Sequence, residues 1–368
     1  MSGTRRRGPS AVAVALGERS YRIHVGRGLL AESGRLIASP SSGRAFVITH
    51  AIVDRLHGGA LRTGLGRLEA QTILVPVGER QKSLRRAAAL WDKLLARGAD
   101  RRSIIVAFGG GVIGDLAGFV AATYMRGLPY VQVPTTLVAQ VDSSVGGKVA
   151  INHPRAKNLI GAFYQPLTVI ADVSALATLR PRDYREGLAE VVKTAIIADA
   201  ELFHWLEEQQ QAVMARDPDA LAHVVRRCCE IKAQVVQADE RESGPRAMLN
   251  LGHTVGHALE ALSGYGRLRH GEAVAIGMVA AARIARRLGR APEATEERLL
   301  RLLADLGLPT RIPGAPAAAI LAAARADKKA IAGVPRFVLP QGIGRVEWDQ
   351  EVPVEVVKTA LKETGASG

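Results

Sequence analysis

The spacing of apolar and polar residues changes near the middle of the chain. In the first half, short apolar runs alternate with stretches of helical spacing. The apolar runs predict β-strands at residues 44–49, 72–77, 103–108 and 130–133, and the spacing of residues 84–97 predicts a helix. Strands that alternate with helices are typical of a parallel sheet. We therefore expect the first half of the chain to form an α/β domain.

Beyond about residue 178 the periodicity becomes that of helices. Apolar residues recur at the spacing of one helix face, and a strand pattern returns only at residues 336–339. The predicted helices cover residues 182–208, 217–239, 249–262, 272–288, 292–306 and 317–325. The expected organisation is therefore an α/β N-terminal domain over residues 1–178 and a mostly α-helical C-terminal domain over residues 179–368.

Composition limits the partners that the protein can have. The 368 residues are 48% hydrophobic, and 49 Lys and Arg residues against 35 Asp and Glu residues give a formal charge of +14. Such an excess can serve nucleic acid, an anionic membrane or an acidic substrate. The basic residues are spread along predicted helices, aromatic residues make up only 4%, and the sequence contains no nucleic-acid-binding signature. An anionic small molecule is therefore favoured over nucleic acid.

The cysteines and the N-terminal residues bear on the compartment. Cys228 and Cys229 are adjacent in a predicted helix and cannot readily pair with each other, so we expect no disulfide framework. Arg5, Arg6 and Arg7 are not followed by a long apolar run, which argues against a signal peptide. No segment reaches the roughly 18 uninterrupted apolar residues of a membrane span. We expect a soluble, cytoplasmic protein.

A glycine-rich stretch follows a predicted strand and precedes a predicted helix. Gly109, Gly111 and Gly114 fit the G-x-G-x-x-G spacing, in which the backbone can approach a pyrophosphate at a helix N-terminus. A tight strand-to-helix turn without a ligand would show the same pattern. The acidic residue that usually follows about 20 residues later is missing. Thr135 and Thr136 stand in that region instead, and their hydroxyl groups could donate to phosphate or ribose.

A group of polar residues follows the glycine-rich stretch. Asp142 and Lys148 flank the pair Gly146-Gly147, and Lys157-Asn158 come shortly afterwards. The two glycines predict a backbone held close to a ligand, with the Lys148 ammonium presented to an anion. A lone lysine is usually a solvated surface residue. Because several polar residues and two glycines lie here among apolar residues, a binding role is favoured.

Glu190 and Lys193 lie three residues apart and therefore share one helix face. An exposed ion pair is the ordinary explanation of this spacing. The flanking residues are apolar, however, which predicts a buried helix, and a buried carboxylate requires a cation or a metal. Further along the chain, Lys232 and Arg246 add positive charge that suits an anionic substrate.

Three histidines follow the Glu190 segment. His253 and His257 are four residues apart on one predicted helix face, and His270 precedes Gly271-Glu272. Carboxylate and imidazole groups are the ligands of a catalytic divalent metal such as zinc. The spacing alone predicts His253 and His257 as a bidentate pair. The H-E-x-x-H pattern of zinc proteases is absent, because Thr254 follows His253.

Taken together, these segments resemble the 3-dehydroquinate synthase family of sugar phosphate cyclases. Six ordered motifs carry the resemblance, and Asp327-Lys328-Lys329 completes the set. The likeness extends over roughly residues 20–345. The six motifs occupy residues 109–115, 134–148, 157–163, 187–193, 249–257 and 270–275.

The resemblance implies a nucleotide-binding α/β N-terminal domain for NAD and a helical, metal- and substrate-binding C-terminal domain. It also implies a homodimer. The metal, Zn²⁺ or Co²⁺, would be bound by Glu190, His253 and His270, whereas His257 would contact the substrate. Substrate contacts are further implied for Asp142, Lys148, Asn158, Lys193, Lys232, Arg246, Asn250 and one lysine of the pair Lys328-Lys329.

The NAD contacts that the resemblance implies lie in the first half of the chain. They are Glu79, Lys82, Gly110, Gly111, Val112, Asp115, Thr135, Thr136, Lys148, Lys157 and Thr178. The chain departs from the family at the adenine end of the site. His50 stands where the family often has Asp or Asn, and Val77 stands where it often has Asp.

The family reaction converts 3-deoxy-D-arabino-heptulosonate 7-phosphate into 3-dehydroquinate and phosphate. The resemblance implies transient NAD-dependent oxidation, phosphate elimination, re-reduction, ring opening and intramolecular aldol closure, as in a carbon–oxygen lyase of the shikimate pathway. Other cyclases of this fold, including those that use sedoheptulose 7-phosphate, act on substrates without a carboxylate. Lys148, Lys232 and Arg246 together favour a carboxylated substrate.

Two further interpretations remain open. A simple metal-dependent alcohol dehydrogenase would lack the phosphate-binding lysines and would release NADH. A basic helical scaffold that binds nucleic acid would show salt-dependent retention on DNA without turnover.

Overall fold

The computed structural model describes residues 10–37, 43–66, 68–264, 268–327 and 333–368. The chain divides into two compact units. The first unit comprises Met1–Arg180 and Leu221–Gln237, and the second comprises Pro181–Ala220 and Ala238–Gly368. Lys232 therefore groups with the first unit, whereas the domain boundary predicted at residue 178 places it in the second.

Strands and helices follow one another along the chain as the periodicity predicts in outline. The strands are β1 (Ser10–Val14), β2 (Tyr21–Gly26), β3 (Arg44–Thr49), β4 (Glu69–Leu74), β5 (Ile104–Gly109), β6 (Tyr130–Pro134), β7 (Lys148–His153), β8 (Ala156–Phe163), β9 (Thr168–Asp172), β10 (Phe337–Gly342) and β11 (Arg345–Gln350). The helices are α1 (Ser33–Leu36), α2 (Ala51–Leu65), α3 (Leu84–Ala96), α4 (Gly111–Thr123), α5 (Pro181–Ala198), α6 (Ala200–Met214), α7 (Pro218–Ala238), α8 (His253–Leu262), α9 (His270–Arg287), α10 (Glu293–Asp305), α11 (Ala317–Arg325) and α12 (Val354–Glu363).

The first unit is built on a mostly parallel sheet, which confirms the predicted α/β class. Among the described residues, seven strands pair in the order β1-β2-β9-β6-β5-β3-β4, and only β1 runs antiparallel to its neighbour. One apolar core joins this sheet to α3 and α4, and a second joins it to α2. The sheet is therefore covered on both faces, as the buried run of β5 requires.

The strand order reverses between β3 and β5. The chain moves outward from β3 to β4 and then returns to β5 on the other side of β3. The helices after β3 and β5 lie on opposite faces of the sheet. In open α/β sheets a ligand binds at the carboxyl ends of the strands beside this reversal. His50 follows β3 there, and Gly110 follows β5.

The second unit is mainly helical, as predicted. Helix α9 packs against α5, α8 and α10, and residues along most of its length are buried. The strands β10 and β11 form an antiparallel pair. Across the described ranges, none of the helices combines the length and the low charge that a membrane span requires.

Two predicted helices have bounds that differ from those expected. The helix predicted over 182–208 is broken at Asp199, which has extended backbone angles and whose carboxylate accepts the Leu202 N–H at 2.9 Å. The helix predicted over 249–262 begins only at His253. Residues Pro245–Asn250 form a 3₁₀ helix instead, and Gly252 between them has a left-handed φ of 79°.

The strand predicted over residues 72–77 is also misplaced. Strand β4 starts three residues earlier, at Glu69, and its pairing with β3 ends at Leu74. Pro76 has no N–H group to donate to a ladder, and Val77 is 70% exposed. Because β4 is the edge strand, its first residues are polar and carry a weak apolar signal.

Several elements of the structure have no counterpart in the sequence prediction. The apolar pattern did not predict strands β1, β2, β9 and β11, helices α2 and α12, or the β7–β8 hairpin. The hairpin occupies the segment that was interpreted only as a group of polar residues. Cys228 and Cys229 are both buried in α7, and burial raises the pKa of the Cys229 thiol to about 12.

We predict that Asp172→Ala will lower the free energy of unfolding by about 2–4 kcal/mol, because three backbone N–H groups lose a charged acceptor. Asp172 is 2% exposed, and its carboxylate accepts from Gly28 and Leu30 at 3.0 Å and from Ser174 at 2.9 Å. Denaturant unfolding followed by circular dichroism measures the loss.

The matched control is Asp217→Ala. The exposed Asp217 also accepts two backbone N–H groups, from Asp219 and Ala220, but water can replace it there. Its loss should be about 1 kcal/mol. Equal losses in the two variants would contradict the role given to burial at Asp172.

Candidate active site

The glycine turn after β5 is fixed by the protein's own packing. An added Cβ would lie 2.8 Å from the Ile113 side chain at Gly109 and 2.9 Å from Thr136 at Gly110. Helix α4 begins at Gly111, so its first N–H groups lie at the carboxyl edge of the sheet, where a pyrophosphate would bind. The glycines thus allow a tight turn, and the turn leaves the first N–H groups of α4 as hydrogen-bond donors for an anion.

Other residues of the predicted NAD set lie along the same edge. Thr135 follows β6, and its N–H donates to the Gly109 carbonyl at 3.0 Å. Thr178 donates its hydroxyl proton to the Ala175 carbonyl and therefore accepts from His57 Nε2 at 2.8 Å. No local motif connects His57 with Thr178, which lies 121 residues away, so the sequence alone does not predict this contact.

Lys82 joins several predicted site residues of the first unit. Its ammonium is 4% exposed and donates to Asp115 Oδ2 at 2.6 Å and to the Asn158 side chain, and it lies 3.5 Å from Glu79 Oε1. Burial disfavours the charged ammonium, but Asp115 and Glu79 outweigh this effect and raise the pKa of Lys82. Lys82 is therefore a cation that is held in place by the residues predicted to contact NAD and substrate.

Asp142 and Lys232 form another polar contact of the first unit, separate from the contacts of Lys82. Asp142 lies on a π-helical turn at Ala139–Ser143, a rare geometry that is frequent at functional sites. Lys232 on α7 is 7% exposed and donates to the Asp142 carbonyl at 2.6 Å and to its carboxylate at 2.5 Å. The hairpin carries Lys148, which is exposed, and Lys157.

The predicted metal ligands come together in the second unit. Glu190 on α5 is fully buried, and His253 and His270 are the first residues of α8 and α9. One ligand atom from each of the three lies within 4.8 Å of the other two. His253 Nδ1 donates to the Leu251 carbonyl at 3.1 Å, which leaves Nε2 as the ligand atom. The carboxylate and imidazole donors suit Zn²⁺ or Co²⁺.

His270 lies between two carboxylates. Its Nε2 is 3.5 Å from Glu190 Oε1, and its Nδ1 is 3.0 Å from Glu260 Oε2. Burial lowers the pKa of the imidazole, but hydrogen bonds and charge from Glu190 and Glu260 outweigh it and raise the pKa to about 10. A divalent metal would replace the proton on Nε2 and retain the favourable charge.

His257 belongs to a different set of contacts. Its Nδ1 lies 3.0 Å from Asp327 Oδ2, and it groups with Glu260 and His270 rather than with His253. The rings of His253 and His257 meet edge to face at 5.3 Å. The geometry thus brings together Glu190, His253 and His270 as one possible ligand group, and His257, Glu260 and His270 as another.

Two of the described residues of the second unit are buried cations. Lys193 is 2% exposed and forms an ion pair with Glu190, which confirms that this helix face is buried. Arg246 is also 2% exposed and lies on the 3₁₀ helix Pro245–Asn250, which packs against α5. Its guanidinium donates to the Glu240 carbonyl.

The loop that carries Arg246 is held by Asp239. The Asp239 carboxylate accepts from the N–H groups of Ser243, Gly244 and Arg246 at 2.7–3.2 Å. Partial burial would raise the pKa of Asp239, but these backbone donors outweigh it and lower the pKa. Asn250 donates to Glu242 Oε1 at 2.9 Å. Lys328 and Lys329, of which one is predicted to contact the substrate, lie outside the described residues.

Family models account for most of the chain. The model of the 3-dehydroquinate synthase N-terminal domain matches residues 72–186, and that of the C-terminal domain matches residues 187–330. The two matches adjoin each other and cover every predicted site residue.

Solved structures give the same relationship. A 2-deoxy-scyllo-inosose synthase complexed with carbaglucose-6-phosphate, NAD⁺ and Co²⁺ is 28% identical, with a TM-score of 0.88 over 96% of this chain and 100% of that chain. ValA, a 2-epi-5-epi-valiolone synthase from Streptomyces hygroscopicus subsp. jinggangensis 5008 with NAD⁺ and Zn²⁺ bound, is 30% identical, with a TM-score of 0.85 over 95% and 98%.

A more distant likeness concerns the fold alone. Maleylacetate reductase from Agrobacterium tumefaciens is 17% identical, with a TM-score of 0.68 over 96% of this chain and 98% of that chain. The family matches and the close similarity over nearly whole chains decide the classification. This chain belongs to the 3-dehydroquinate synthase superfamily of sugar phosphate cyclases.

Proposed function

We propose that the protein is a 3-dehydroquinate synthase, which converts 3-deoxy-D-arabino-heptulosonate 7-phosphate into 3-dehydroquinate and phosphate. The observation that carries the proposal is the burial of two cations, Lys193 and Arg246, in the unit that holds the Glu190–His253–His270 group. Buried cations require anionic partners. Glu190 already pairs with Lys193, and a substrate with both a phosphate and a carboxylate would add the anionic groups that two buried cations in one unit favour.

The residues define where the cofactors would bind. Glu190, His253 and His270 would hold one divalent metal, Zn²⁺ or Co²⁺. NAD would bind at the carboxyl edge of the sheet, against the amides of Gly111 and Val112. When bound, these groups supply a reversible hydride acceptor and a Lewis acid for the substrate hydroxyl that is oxidised and later re-reduced.

The side chains of the chain itself bind and orient the substrate. Arg246 offers a planar fork that can grip a carboxylate at two points. Lys193 presents an ammonium whose orientation is fixed by Glu190. His257 is oriented by Asp327 through Nδ1, which leaves Nε2 to exchange a proton with a substrate hydroxyl.

In the first unit, the Lys232 ammonium orients Asp142 through hydrogen bonds to its carbonyl and its carboxylate. Lys148 is exposed at the start of β7 and adds an ammonium for the phosphate. The homodimer that the family resemblance implies and the cytoplasmic location that the cysteines and the apolar pattern favour both stay predictions.

A second candidate is a cyclase that acts on a sugar phosphate without a carboxylate, such as sedoheptulose 7-phosphate. The observation in its favour is that the solved relatives at 28% and 30% identity are a 2-deoxy-scyllo-inosose synthase and a 2-epi-5-epi-valiolone synthase. Arg246 separates the two candidates, because a carboxylate gives its guanidinium a planar anionic partner.

We predict that the purified enzyme will release phosphate from the heptulosonate phosphate in the presence of catalytic amounts of NAD, without accumulating NADH. The hydride returns to the product in each turnover, so absorbance at the NADH wavelength should not rise steadily. A phosphate-release assay with sedoheptulose 7-phosphate and glucose 6-phosphate as competing substrates checks the choice. A higher kcat/KM for either of these two sugar phosphates than for the heptulosonate phosphate would contradict the proposed function.

We predict that His253→Ala will weaken metal binding by more than about 100-fold and abolish turnover, because loss of a direct ligand should exceed the 10–100-fold effect of an outer-shell change. Elemental analysis after dialysis against a chelator measures the bound metal. The control is His204→Ala on α6, since the His204 side chain is 66% exposed. Full metal occupancy in the His253 variant would show that the ligand assignment is wrong.

We predict that Arg246→Lys will lower kcat/KM for the heptulosonate phosphate roughly 30-fold or more, which corresponds to about 2 kcal/mol of lost transition-state stabilisation. Lysine keeps the positive charge but cannot bind a carboxylate at two points. Metal content should not change. Steady-state kinetics measure the effect, and Arg241→Lys, at an exposed position of the same loop, is the control. If sedoheptulose 7-phosphate is the better substrate and is unaffected by the change, the second candidate is correct.

A further inference from the structure

Asn152 lies near the end of β7, where the ladder between the two hairpin strands is irregular. The register pairs Ile151 with Ile160 and His153 with Ala156, so one residue of β7 faces three residues of β8. Such an irregularity leaves backbone groups outside the ladder. Asn158 lies in this stretch of β8 and has a left-handed φ of 53°. A side chain must therefore satisfy the backbone here.

The Asn152 side chain satisfies it and reaches a second site residue as well. Its Oδ1 accepts the Asn158 backbone N–H at 2.9 Å, and its Nδ2 donates to Glu79 Oε1 at 2.8 Å. The Asn152 N–H donates to the Lys82 carbonyl at 2.8 Å. Because a backbone N–H can only donate and an ionised carboxylate can only accept, the orientation of the Asn152 amide is determined by its neighbours.

Lys82 closes the network from the other side. Its ammonium donates to the Asn158 side chain and lies 3.5 Å from Glu79 Oε1. Glu79 and Asn158 are therefore each held twice, once by Lys82 and once by Asn152. Glu79, Lys82 and Asn158 belong to the contacts that the family resemblance implies, whereas Asn152 does not.

An ordinary turn asparagine would explain only part of this arrangement. Such a residue bonds the backbone of its own turn, a few positions away. The contact with Asn158 is of that kind. The contact with Glu79 is not, since it spans 73 residues and ties the loop after β4 to the hairpin.

We propose that Asn152 is a positioning residue that couples the nucleotide contact Glu79 to the substrate contact Asn158. This inference rests on the proposed function for the roles of those two residues. The Asn152 side chain offers an acceptor atom, Oδ1, and a donor group, the Nδ2 amide, and each contacts a different part of the site. Substitutions that remove one arm at a time should therefore separate nucleotide binding from turnover.

Asn152→Asp separates the two arms with almost no change of shape. The aspartate still accepts the Asn158 N–H but faces Glu79 with a second carboxylate. We expect the Kd for NAD, measured by calorimetry on the metal-loaded enzyme without substrate, to rise about tenfold, the value of one hydrogen bond to a charged group. The kcat at saturating NAD should change little. Asn152→Ala removes both arms and should raise the Kd and lower kcat together.

A double-mutant cycle tests the contact directly. In a Glu79→Gln background, the side chain at position 79 gains an N–H donor, and the carboxylate introduced at position 152 can accept from it. Asn152→Asp should therefore not weaken NAD binding further in that background. The control for the hairpin is Arg155→Ala, at an exposed position of the same turn, which should match the wild type in Kd and kcat.

Two results would overturn the inference. One is an unchanged Kd and kcat in both Asn152 variants. The other is an equal rise in Kd for Asn152→Asp with and without Glu79→Gln, which would indicate a general disturbance of the hairpin. Since the Kd cycle needs no substrate, it holds whichever sugar phosphate the enzyme converts. A failure of the proposed function would appear separately, in the substrate preference of the wild-type enzyme.

Discussion

The second unit depends on the burial of one carboxylate. Glu190 is fully buried, and an ionised carboxylate in such a place is unfavourable unless cations and hydrogen bonds compensate it. Lys193, one turn further along α5, and His270, at the start of α9, supply the compensation. Helices α8 and α9 both begin with a histidine of this group, so its two imidazoles lie where helices start, whereas Glu190 and Lys193 lie within α5.

The same arrangement explains why two carboxylates accompany the histidines. A helix N-terminus carries partial positive charge and disfavours a nearby cation. His253 and His270 both lie at such ends, so a metal bound between them requires negative charge close by. Glu190 supplies it directly, and Glu260 supplies it through Nδ1 of His270. The carboxylate behind the imidazole also fixes which nitrogen faces the metal.

In the first unit, the backbone rather than a buried charge brings the predicted site residues together. The carboxyl ends of the parallel strands bring the loops after β3, β4, β5 and β6 to one edge, and the glycine turn at the start of α4 exposes amide donors there. Fixed pairs then orient the polar side chains, as Lys82 does for Asp115 and Lys232 for Asp142. These contacts are all made by side chains of the protein itself, and they fix the polar groups of this unit relative to one another.

Local patterns predicted much of this structure because they depend on neighbouring residues. The buried strands, the burial of Glu190 and the glycine turn each follow from a few adjacent positions. The break at Asp199 was missed because the apolar period continues across it while its carboxylate caps the next helix. The contacts of His57 with Thr178, of Asn152 with Glu79 and of His257 with Asp327 span 70–121 residues, and no sequence spacing encodes them. The choice of Glu190, His253 and His270 over the helical pair came from the family resemblance, and the geometry is compatible with it.

Anomalous X-ray diffraction at the zinc or cobalt edge, from crystals of the metal-loaded enzyme, tests the central claim most directly. The account predicts one strong peak bound by Glu190, His253 and His270, with ligand distances of about 2.0–2.2 Å. Glu260 should remain hydrogen-bonded to His270 Nδ1 and should not bind the metal. A peak bound by His257 and Glu260, or no peak at either group, would contradict the account.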